Sequence, residues 1–196
     1  MKAKPDSADL WSEAAQAVDA LVREGLPPSH RELRDRLLPL ADDLPVLGEA
    51  PAGFRHVLRE IDTYLSTRPE PAGHAELVPS AEVQRVARLL KGSTVVLIGG
   101  ARRREAQKAL ERAFGLRSLV WVETKEHQSL STFEPVVARP EVKLVLLAIR
   151  WSSHAFGDVK LFCDRHDKPL VRLPGGYNPN QVAAQVVAQC SAELGG

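Results

Sequence analysis

The sequence predicts an α/β protein: a helical module over residues 1–68, a connection with a short helix over 69–92, and a small parallel sheet with crossover helices over 93–196. Three observations predict it. Before residue 68 the apolar residues recur at helical spacing. After residue 92 four short apolar runs alternate with helical or irregular stretches, the pattern of parallel strands joined by crossovers. Between them, STRPEPAGHAELVPS is rich in proline, glycine and polar residues and reads as a linker. At 196 residues and 44% hydrophobic composition, the chain is large enough to bury a core.

In the module, Leu10, Ala14, Ala17, Val18, Leu21 and Val22 predict one buried face of a helix over 7–24, with Ser7 or Asp9 as its N-cap. GLPPSH stops it. Ser29 then offers a cap, and Glu32 three residues later completes a capping box ahead of Leu33, Leu37 and Leu38; Pro39 limits this helix. A proline- and glycine-bearing connection over 41–52 precedes a third helix with Phe54, Val57, Leu58, Ile61 and Leu65 on one face. After the linker, Ser80 caps a helix over 81–90. Strands are expected over 94–98, 118–123, 143–149 and 169–173, and helices over 103–114, 154–166 and 180–194, with the second and third strands joined by an irregular stretch. With the first strand central and right-handed crossovers, the expected order is 2-1-3-4, a Rossmann-like or flavodoxin-like sandwich.

Composition excludes several classes. The 26 lysines and arginines nearly balance 25 aspartates and glutamates, so the chain is no bulk neutraliser of nucleic acid. The balance is uneven along the chain: acidic residues outnumber basic ones in residues 1–91 and the order reverses in 92–196, which directs any anion-binding surface to the sheet domain. Cys163 and Cys190 lack CxxC spacing and fall in helical segments, so they are expected as buried thiols in a reducing cytoplasm, with no zinc site or disulfide. MKAKPDSADLWSE carries no secretory apolar run, and no stretch reaches the roughly 18 apolar residues of a membrane span, so a cytoplasmic protein with no membrane partner is expected.

Ligands of an open parallel sheet collect beyond the carboxyl ends of its strands. There the chain places Gly99-Gly100-Ala101-Arg102-Arg103-Arg104, then Glu123 to Ser129, then Arg150-Trp151-Ser152-Ser153-His154, then Arg172-Leu173-Pro174-Gly175-Gly176-Tyr177. The first run is not a dinucleotide fingerprint, because Arg102 and Arg104 stand where G-x-G-x-x-G needs small residues, and it lacks the spacing of a P-loop. No cofactor is therefore expected. Helix-start amides favour an anion and arginine grips phosphate bidentately, although three cations in a first turn oppose the helix dipole and call for a compensating partner. Ser152 or Ser153 can cap the helix that begins at His154. His127 and His154 could face one another across the cleft, but two histidines without ligand spacing do not make a metal site. Lys160 is expected to be solvated, and His30, His56, His74 and His166 have no evident partner.

DALVREGLPPSHRELRDRLLPL has the layout of a helix-turn-helix, in which Arg31, Arg34 and Arg36 could reach base edges. Glu32, Asp35, Asp42 and Asp43 oppose that field, which favours a helical interaction or dimerisation module.

From VVLIGG through EHQS and WSSHAF to CDRHDKPLVRLPGG, the chain resembles the bacterial family catalogued as domain of unknown function 2325. The matching positions are Gly99 and Gly100, His127, Ser153-His154-Ala155, and Lys168-Pro169, over about residues 93–190. The chain departs from that pattern at Trp151-Ser152, where the family often has a cysteine, and in its short Glu126-His127-Gln128 loop. The resemblance implies a fold and a site location and assigns no reaction. The sheet also looks like the sensor domains of prokaryotic antiviral defence, which bind cyclic oligonucleotides in a dimer cleft. The leading expectation is a non-catalytic accessory or regulatory protein with a protein partner or as a homodimer. It would bind a nucleotide or nucleic-acid phosphate through Gly99, Gly100, Arg102, Arg103, Arg150, Ser153, His154 and Arg172. The alternatives are a phosphodiester or nucleotide hydrolase using His127 and His154, with Arg102 and Arg150 stabilising charge, and a pure assembly subunit.

Overall fold

A computed structural model describes residues 7–40, 50–67, 78–124, 130–149 and 157–194. In the module, α1 (Ser7–Arg23) lies along α3 (Ala52–Thr67), with α2 (Arg31–Leu37) and a 3-10 turn (Leu38–Leu40) packed against them. Ala15, Val18, Leu33, Leu37, Phe54, Val57, Leu58 and Ile61 form their core. The inward face of α1 is rotated from the expected one: Trp11, Ala15, Val18 and Val22 turn toward the core, while Leu10 and Leu21 stay exposed. The reason is polar. Asp19 shares the face of Ala15, Val18 and Val22, and its Oδ1 accepts the Gly53 N–H at 2.7 Å, capping the start of α3, while Arg23 meets Oδ2 at 2.9 Å. A Cβ on Gly53 would lie 2.8 Å from that oxygen.

The capping box expected at α2 does not form. His30 holds the N-cap position without a side-chain cap bond, and Glu32 bonds Arg36 at 2.7 Å instead. Starting the helix one residue late places Glu32 in its second position, from which it cannot complete the box.

The sheet domain opens with α4 (Ala81–Leu90), which Ser80 caps as expected, its hydroxyl accepting the Val83 N–H at 3.3 Å. There follow β1 (Thr94–Ile98), α5 (Arg104–Phe114), β2 (Ser118–Val122), α6 (Glu134–Val137), β3 (Val142–Ala148), α7 (Gly157–Arg165), β4 (Leu170–Leu173) and α8 (Pro179–Leu194). The sheet is wholly parallel, in the order β2-β1-β3-β4. Right-handed crossovers then dictate the layers. The β1-to-β2 step runs one way and the steps to β3 and β4 run the other, so α5 lies on one face and α6 and α7 on the opposite face. Accordingly Val95, Leu97, Leu144, Leu146 and Val171 pack under α4, α5 and α8, while Val96, Ile98, Val145 and Leu147 pack under α6 and α7. The helix over 81–90, read from sequence as part of the connection, is thus a core helix of the sheet domain.

The stretch between β2 and β3 is more regular than expected, with a 3-10 turn (Leu130–Thr132) leading into α6. His166, expected to lack a partner, sits 3.2 Å from Glu134 Oε1, which Arg165 also pairs. The Arg165 hydrogen bond holds the Glu134 carboxyl below the usual carboxylate range, with the His166 bond adding to the effect. Lys160 is exposed and pairs with Asp164 at 2.5 Å.

Side chains close both edges of the sheet. On β4, Gln189 of α8 accepts the Arg172 N–H at 3.0 Å and donates to the Arg172 carbonyl at 2.9 Å, as a neighbouring strand would. On β2, Leu119 donates to Glu111 at 2.8 Å and its carbonyl accepts from Gln107 at 2.6 Å. Open strand edges invite pairing with other chains, and these amide and carboxylate plugs oppose it.

Candidate functional site

Gly99 and Gly100 take the chain off the end of β1 at φ +120° and +62°, a region that non-glycine residues rarely adopt. A Cβ on Gly99 would lie 2.9 Å from the Ala148 carbonyl oxygen of β3. The turn is pinned on its other side, where Gly99 N–H donates to the Val122 carbonyl at 3.0 Å and Trp121 Nε1–H donates to the Gly99 carbonyl at 3.0 Å. It therefore sits at the carboxyl end of β1, with β2 on one side and β3 on the other, next to the point where strand order reverses. In open α/β sheets that is the general position of ligand crevices.

The three arginines that follow have different surroundings. Arg102 is exposed; its backbone N–H donates to Glu123 Oε1 at 2.8 Å and its Nε donates to Gln107 at 2.8 Å. Arg104, the first residue of α5, is also exposed. Arg103 is buried, only 6% exposed. Its Nη1 lies 3.6 Å from Asp62 Oδ1 of α3, and its guanidinium carbon lies 5.7 Å from the centre of the Tyr177 ring. Tyr177 in turn meets Trp121 edge-on at 4.7 Å. Arg103 holds the N-cap position of α5 and makes no side-chain cap bond. The compensation called for by three cations at a helix start comes from Asp62 at Arg103 and from Glu123 beside Arg102.

Of the residues expected at the site, Gly99, Gly100, Arg102 and Arg103 are brought together in this one turn. Arg172 lies elsewhere. It is level with Leu147 in the sheet register, and alternation along β4 puts its side chain on the face of Leu170, under α6 and α7. Tyr177 and Trp121 belong to the other face. Arg150, Ser153, His154 and His127 lie outside the described residues.

Sequence reasoning missed Asp62 and Trp121, and it placed Tyr177 in the run beyond the fourth strand without giving it a role. Asp62 carried a signal, because it occupies the apolar stripe of its helix beside Leu58, Ile61 and Leu65, where a lone carboxylate needs a partner.

Cys163 and Cys190 are buried and form no disulfide, and burial pushes the Cys163 thiol up to about 11, far from a reactive thiolate. Among the described residues no three His, Cys, Asp or Glu side chains cluster as metal ligands would, and no helix is long and apolar enough to cross a membrane. The arginines of α2 are matched by its own carboxylates: Arg31 and Arg34 meet Asp35 at 3.5 and 3.1 Å, and Arg36 meets Glu32 at 2.7 Å. Arg34 also lies 4.0 Å over the Tyr64 ring.

Comparison of the chain with protein-family models, with curated proteins and with solved structures finds no match.

Proposed function

We propose that the sheet domain binds a phosphate-bearing anion, a nucleotide or a nucleic-acid backbone, at the turn from β1 into α5, and that the protein acts as a non-catalytic accessory or regulatory unit. One observation carries this reading. The Gly99-Gly100 turn sets the N-terminus of α5 next to the point of strand-order reversal, with Arg102 and Arg104 exposed beside it. The helix dipole and the first-turn amides favour negative charge, and a guanidinium matches two phosphate oxygens at once.

The test is a titration of ATP and, in parallel, of a short single-stranded DNA, each at low and high salt. Binding that weakens as salt rises, and that Arg102→Ala lowers by roughly 10- to 100-fold as expected for a charge-assisted contact, supports the site. Binding that Arg102→Ala leaves unchanged overturns it. The two titrants separate a nucleotide site from one that tracks a polynucleotide backbone.

A second reading, the assembly subunit without a ligand, draws on the Asp62 contact, which already gives Arg103 a carboxylate. Failure of both titrants to bind favours it.

A further inference from the structure

The helical module and the sheet domain each have their own core, and α3 reaches the sheet domain at the turn just described. The contact is unusual in kind. Asp62 is 3% exposed and Arg103 6%, so two charges have been taken out of water at the junction of two parts of one chain. Arg103 Nη1 lies 3.6 Å from Asp62 Oδ1. A buried guanidinium must keep an acceptor in place of water, so an anion that offers it equivalent oxygens can exchange with the carboxylate. Arg103 also lies between Arg102 and Arg104, the two exposed cations of the same turn.

We infer that Asp62 is an internal pseudo-ligand: its carboxylate occupies the Arg103 guanidinium while the helical module is docked, and a phosphate bound at the turn takes that guanidinium and releases α3. This rests on the anion site proposed above and adds its regulation. A carboxylate and a phosphate present the same kind of acceptor to a guanidinium, so they compete for it. Coupling is reciprocal. The docked module lowers affinity for the anion, and the anion loosens the module to the same degree. Any partner that recognises the face of α3 carrying Asp62 therefore gains access to it only when the ligand is present.

The experiment uses the full chain, ATP and short single-stranded DNA as probes, and two readouts. In the wild type, hydrogen exchange across α3 (Ala52–Thr67) is followed with and without probe; faster exchange around Asp62 on binding is expected, and this readout needs no substitution. In Asp62→Asn, which keeps the shape and removes the charge, the probe should bind about tenfold more tightly than in the wild type. Arg102→Ala should weaken binding in both backgrounds. If the wild type binds in an Arg102-dependent manner, but Asp62→Asn binds no more tightly and α3 is equally or better protected, the pseudo-ligand is overturned while the site stands. If neither protein binds either probe, both are overturned.

Discussion

At Gly99 two constraints meet that no other residue satisfies. The backbone stands at φ +120°, and the space a Cβ would fill is closed by the Ala148 carbonyl oxygen at 2.9 Å. A non-glycine residue at such a φ costs about 1–3 kcal/mol before the steric contact is added. Gly99→Ala should therefore lower the free energy of unfolding by at least that amount in a urea titration, and it should also shift the α5 N-terminus; an unchanged midpoint would contradict the geometry. The glycine pair was legible in sequence as a turn, since two glycines between an apolar run and a helix have few other uses. What the sequence could not separate was the duty of each arginine after it. Arg102, Arg103 and Arg104 read alike in a string, yet one is buried against Asp62 and Tyr177 and the others face water. That difference is set by a helix distant in the chain, and no local spacing encodes it.

The edge strands show how the helices serve the sheet beyond covering it. Gln189 of α8 offers a side-chain amide to Arg172 of β4 with the bonding pattern of a strand, and Gln107 and Glu111 of α5 do the same for Leu119 of β2. Removing such a plug exposes one N–H and one carbonyl on a strand already half exposed. Gln189→Ala should cost roughly 0.5–1.5 kcal/mol of stability. It should also make the protein self-associate with concentration in sedimentation experiments, because an open edge pairs with a second copy. A variant as stable as the wild type and no more self-associating would show that water replaces the amide fully. At this scale the sequence was informative about existence and type of elements and less so about their faces. The periodicity of α1 indicated a helix but pointed to a stripe rotated from the real one: Val18 and Val22 face the core as expected, while Leu10 and Leu21 lie outside and Ala15 lies inside. Asp19 decides the rotation by capping α3, a tertiary bond that hydrophobic periodicity does not register.

Across the whole molecule the order β2-β1-β3-β4 was legible because the right-handed crossover rule leaves few arrangements for four short parallel strands. The same rule locates the reversal of strand order between β1 and β3, and hence the turn at Gly99. The junction between the two parts was not legible. Asp62 announced only that it needed a partner, and Arg103 only that it needed a counter-charge; their pairing appears once both cores are folded. The central claim is that a phosphate is held by the first turn of α5 and the arginines beside it. Backbone amide chemical shifts recorded during an ATP titration of the full chain test it most directly. The account expects the largest shifts at Gly100, Arg102, Arg104, Glu105 and Ala106, with smaller ones along α3. Shifts confined to other parts of the sheet domain, or no shifts at all in these amides, would contradict it.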